Sequence, residues 1–77
     1  MKFNQLLVDE LNLLMQFDLN SAATGIKVHS DAAENIQLAI KSLFDKGLCT
    51  LCDGGYLTEE GIQIAERADK ILRALSH

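Results

Sequence analysis

Apolar residues recur at helical spacing near the start of the chain. Leu6, Leu7, Leu11 and Leu14 predict a first helix over residues 4–16, with Asn4 as its side-chain cap. Val8, Leu13, Met15 and Phe17 widen that surface beyond one stripe and predict burial on more than one side. A short second helix is expected over residues 18–23, broken by Gly25, and Ile26-Lys27-Val28-His29 alternates as a short extended segment. The next helix is expected to start at Ser30 or Asp31, where Glu34 follows Asp31 by three positions as in a capping box. Ala33, Ile36, Ile40, Leu43 and Phe44 would form its core-facing side.

Gly47 supplies the left-handed residue that ends such a helix, and Leu48 can fold back on the last turn. Residues 48–52 and 56–57 read as short strands joined around Asp53-Gly54-Gly55, a glycine-rich connection suited to a tight hairpin. Thr58 then caps a last helix with Glu59 and Glu60 at its positive end. That helix runs to about Leu75. Its Ala65, Ala68, Leu72 and Leu75 seam is expected to pack on the first helix, and Glu66–Lys70 and Asp69–Arg73 are i,i+4 ion pairs. No repeat or linker interrupts the pattern, so residues 1–77 are expected to form one mainly helical α+β domain.

The segment from Leu43 to Gly61 resembles the helix–wing–helix part of winged helix-turn-helix regulators of the MarR and PadR types. Lys46-Gly47-Leu48 stands where those families end a helix before the wing. Leu57-Thr58-Glu59-Glu60-Gly61 stands where they open the following helix. The whole chain is also similar to a small bacterial family of stand-alone proteins of unknown role. The resemblance implies a winged-helix-like domain of three to four helices with a short β-hairpin wing. Residues 31–46 would then take the recognition-helix position and residues 48–57 the wing. The function it implies is that of a DNA-binding transcriptional regulator.

Charge changes that picture. Seven basic and eleven acidic residues give a net charge of −4, whereas nucleic-acid affinity comes largely from cations set against phosphates. The candidates for DNA contact are Asn35, Gln37 and Lys41, supported by Lys27, His29 and Lys46. The wing offers Thr50, Asp53, Gly54 and Gly55 and no positive charge. A rival function follows from Leu38, an apolar residue ringed by Glu34, Lys41, Ser42 and Asp45, which suits a protein interface. The expected reading is thus a small non-enzymatic regulatory module, partnered by duplex DNA or by another protein, with homodimerisation through the first or last helix a further expectation.

Cys49-Thr50-Leu51-Cys52 has C-x-x-C spacing, but no second cysteine or histidine pair completes a zinc set, and His29 and His77 are the only histidines. Residues three apart in a strand face opposite ways, so two structural thiols are expected, with no metal or cofactor. No nucleophile, acid and base are grouped as a catalyst needs. The start of the chain lacks signal-peptide features and no apolar run reaches about 20 residues, so a cytoplasmic protein is expected.

Overall fold

The computed structural model describes residues 1–21 and 23–76; Ala22 and His77 lie outside the described residues. Helix α1 (Gln5–Leu14) begins where Asn4 Oδ1 accepts the Leu7 N–H at 2.9 Å. The short helix expected over residues 18–23 does not form in its described part. Asp18 Oδ1 instead accepts the Asn20 N–H at 2.9 Å, and the Asp18 and Ser21 carbonyls accept from Ser21 and Thr24. These local bonds offer the backbone turns in place of a helix. Strand β1 (Ile26–Lys27) follows.

Helix α2 (Glu34–Asp45) starts later than its sequence suggests. Asp31 lies in a turn closed by the Ala32 N–H on the His29 carbonyl, and the cap residue is Ala33, so no Asp31–Glu34 capping box forms. The entry loop is held from inside the helix: Gln37 Nε2 donates to the Ser30 carbonyl at 2.9 Å and the Ala32 carbonyl at 2.6 Å. At the other end Gly47, at φ 76°, closes the helix as expected. Its N–H bonds the Phe44 carbonyl and the Leu48 N–H bonds the Leu43 carbonyl, the double bond of a Schellman motif.

Strands β2 (Cys49–Leu51) and β3 (Gly54–Leu57) then lead to helix α3 (Glu59–Leu75). The hairpin turns at Cys52 and Asp53; Gly54 and Gly55, expected in the connection, belong to β3. The sheet is antiparallel in the order β1-β3-β2, with Ile26 opposite Gly55 on one side of β3 and Cys49 opposite Leu57 on the other. Thr58 Oγ1 accepts the Gly61 N–H at 3.0 Å and donates to the Gly47 carbonyl, which ties the start of α3 to the end of α2. Gly61 makes that junction possible, because a Cβ there would overlap the Leu48 carbonyl.

Among the described residues, three helices and a small three-stranded sheet make this a mainly helical α+β domain with a winged-helix-like layout. One part of a helix-turn-helix is missing among the described residues. Such a motif joins two helices by about 3–4 residues, whereas residues 15–33 separate α1 from α2 and carry turns and β1.

The core gathers Leu13, Leu14 and Phe17 with Ala39, Ile40 and Leu43 of α2, Cys49 and Ala65. Three expectations fail at its edges. Ala33 is exposed, because α2 begins only after it. Phe44 is exposed, because each helical residue turns about 100° and α2 centres its buried face on Ile36, Ile40 and Leu43 with Ala39 beside them. Leu72 and Leu75 are exposed too: α3 has 17 residues against 10 in α1, and the seam is covered only as far as Ala68. Of the two predicted ion pairs on α3, Asp69 with Arg73 forms at 2.9 Å; Glu66 and Lys70 form none among the described residues.

Helix α1 carries an inversion that its periodicity concealed. Asp9 and Glu10 are buried, while Leu6 and Val8 are exposed. Asp9 accepts from Gln5 Nε2 at 2.9 Å and from Asn35 Nδ2 at 3.2 Å. Both Glu10 oxygens accept from Lys46 Nζ, at 2.9 and 2.8 Å. These two acids stitch α1 to the beginning and the end of α2.

Candidate functional site

A cleft of about 680 Å³ opens between β1, the outward side of α2 and the hairpin turn. Three features of the chain build it. Glu34, Leu38 and Lys41 fall at i, i+4 and i+7 on α2 and so share one face. Lys27 and His29 come from β1 and the loop after it, and the Val28 N–H fixes that loop to the turn by bonding the Asp53 carbonyl at 2.7 Å. Cys52 and Asp53 close the far wall. Leu38, 57% exposed, is the large apolar group on offer.

The six candidate DNA-contacting residues divide in two. Lys27, His29 and Lys41 are exposed and meet in the cleft. Asn35, Gln37 and Lys46 are engaged by the fold: Asn35 by Asp9, Gln37 by two loop carbonyls, Lys46 by Glu10. An Asn or Gln reads adenine through a free amide donor and acceptor. Gln37 Nε2 spends both of its N–H groups on loop carbonyls, and Asn35 Nδ2 gives one of its two to Asp9. The cations left in the cleft are accompanied by Glu34 and Asp53.

The predicted protein-contact set is also redistributed. Glu34, Leu38 and Lys41 line the cleft, while Ser42 is half-buried and Asp45 lies exposed one turn further along α2. The wing contributes Asp53, which the sequence placed there, and Cys52, which it had assigned only a structural role. The strand order, which sets β1 beside β3, decides that they reach Lys27 and His29.

The two thiols part company because Cys49 opens β2 against the core while Cys52 lies in the hairpin turn: Cys49 is buried and Cys52 exposed, and both are free. Burial pushes the Cys49 thiol above its ordinary 9.0, opposed by the Leu51 backbone, with smaller upward pushes from Cys52 and Asp53. It is therefore a protonated, unreactive thiol at neutral pH. Among the described residues no group of three His, Cys, Asp or Glu side chains could hold a metal ion, and no helix is long and apolar enough to cross a membrane.

Fold and cleft together define a small winged-helix-like domain with a mixed-charge, leucine-centred groove. By its sequence the chain belongs to a family of unknown function, DUF5669, whose profile matches residues 1–76. Comparison with curated proteins and with solved structures found no match.

Proposed function

We propose that the chain is a non-enzymatic protein-interaction module on a winged-helix-like scaffold, which docks a partner segment in the cleft centred on Leu38. The observation that carries this reading is the engagement of Asn35, Gln37 and Lys46 inside the fold while Leu38 stays exposed. An apolar anchor with a polar rim is how protein interfaces concentrate their affinity. Lys27 and Lys41 against Glu34 and Asp53 give the rim both signs, so it suits a partner segment that brings one apolar side chain flanked by charges.

A DNA-binding regulator is the competing reading, favoured by the meeting of Lys27, His29 and Lys41 in one cleft. Two lysines and a histidine beside two acids supply at most about three phosphate contacts, which corresponds to weak and salt-dependent binding. Fluorescence anisotropy with mixed-sequence duplex DNA at low and moderate salt separates the two. The interaction reading expects no binding in the micromolar range. Micromolar or tighter DNA affinity, abolished by Lys41→Glu and weakened by salt, overturns it. In affinity capture, a partner retained by wild type and by Lys41→Glu but lost with Leu38→Asp supports docking at the cleft; equal retention by Leu38→Asp counts against it.

A further inference from the structure

A second apolar surface lies on the opposite elements, and it is independent of the Leu38 cleft. Helices α1 and α3 border a groove of about 390 Å³ whose lining is almost wholly apolar. Phe3, just before α1, and Val8 on it flank the groove from one side, and Ile71, Leu72 and Leu75 of α3 from the other, with exposures running from 38% at Val8 to 79% at Leu75. At roughly 200 Å² for a fully exposed large side chain, these five present about 600 Å² of side-chain surface. That equals the largest apolar patch usual on a monomer, about 300–600 Å². It also approaches the ~800 Å² that each partner contributes to a stable complex.

From α1 only Val8 of the two outward apolar residues faces this groove, with Leu11 and Met15 deeper in it. On α3, residues 70–75 are all exposed, so its last turn and a half has no cover from the rest of the domain.

We infer that a second copy of this chain covers this face, with α3 antiparallel to its counterpart across a two-fold axis. The spacing of the stripe favours that occupant. Ile64, Ala68, Ile71 and Leu75 all line the groove, Ala68 buried and Ile64 half-buried at its floor and Ile71 and Leu75 exposed, and they follow one another at steps of four, three and four, the repeat of a helix-pairing seam. Reversed on itself, the stripe sets Ile64 against Leu75 and Ala68 against Ile71, so that the small residue meets a large one in both central layers. Such an isologous contact closes at two copies. Phe3 and Val8 of each copy would flank the paired helices.

Light scattering and sedimentation equilibrium on the full chain test this directly. The wild type is expected at twice its 8.5 kDa mass at micromolar concentration, and Ile71→Glu is expected to raise the dimer dissociation constant about thirtyfold or more with an unchanged helical circular-dichroism spectrum. In a Cys52→Ser background, the pair Ile64→Cys/Leu75→Cys should give an interchain disulfide on mild oxidation, whereas either single variant should not. Within one chain those positions are about 16 Å apart along the helix, too far for an internal bridge. A wild type that remains monomeric at 100 µM overturns the inference, as does an Ile71→Glu variant that stays dimeric. Efficient cross-linking of a single variant, or none of the pair, overturns the antiparallel register.

Discussion

Replacing Lys46 with Met isolates the link between the first helix and the end of the second. Lys46 Nζ lies 2.9 and 2.8 Å from the two Glu10 oxygens. Glu10 is only 4% exposed, while the Lys46 side chain keeps 47% of its surface in water. Removing one partner of a fully buried pair costs about 3–5 kcal/mol, and an exposed pair contributes about 0.2–1 kcal/mol. With one partner buried and the other half-exposed, water relieves part of the stranded charge, and the expected loss is about 2 kcal/mol. Met retains most of the apolar stem, so the loss reports the charge rather than the packing. Urea unfolding followed at 222 nm should show a lower midpoint at constant slope. Thermal unfolding should fall by about 8–16 °C for a domain of this size. Lys41→Met, which removes an exposed cation with no ion-pair partner among the described residues, should change stability by less than about 0.5 kcal/mol. Adding Glu10→Gln to Lys46→Met should recover part of the loss, because the stranded charge is then gone. A Lys46→Met protein as stable as Lys41→Met would refute the view that this lysine serves the fold.

Three other outcomes follow from the same structure. Gly61→Ala should destabilise by about 2 kcal/mol in urea unfolding, although helix propensity alone favours Ala by about 1 kcal/mol, because the new Cβ meets the Leu48 carbonyl; a stabilised variant would contradict that contact. Asn35→Ala should cost about 1 kcal/mol through the loss of a donor to buried Asp9, whereas a freely exposed asparagine would cost close to nothing. Thiol labelling should modify Cys52 readily and Cys49 only on unfolding. Because the folded Cys49 thiol titrates above 9.0, the unfolded chain loses its proton first, so stability should decline as pH rises through 9 and the Cys49→Ala variant should lack that decline.

Much of this protein could be read locally. The Asn4 and Thr58 caps, the Gly47 stop and the order of helices and strands rest on bonds between residues close in sequence, and all are present. Expectations failed where competing local bonds had similar strength. Asp18 and Ser21 turn residues that could have been helical, and a side chain six residues beyond Asp31 holds the loop where a capping box was expected. For the candidate site, Leu38 with Glu34 and Lys41 was visible from helical spacing. The unavailability of Asn35, Gln37 and Lys46 was not, since two of their partners sit more than twenty residues away on α1.

The sequence by itself determined the three long helices and the hairpin between the last two, where the glycine and threonine boundaries fall, and that the chain is acidic and without a complete zinc set. Those properties depend on side-chain periodicity, backbone preference and composition, which act over a few residues. Tertiary structure alone decided which polar side chains remain free. By packing α1 on α2 it turned Asp9 and Glu10 inward, committed Asn35 and Lys46 to them, and left Leu6 and Val8 of α1 and the end of α3 facing outward. A buried carboxylate must find a donor or cation, and which residue answers that demand is set by contacts across the fold rather than along the chain.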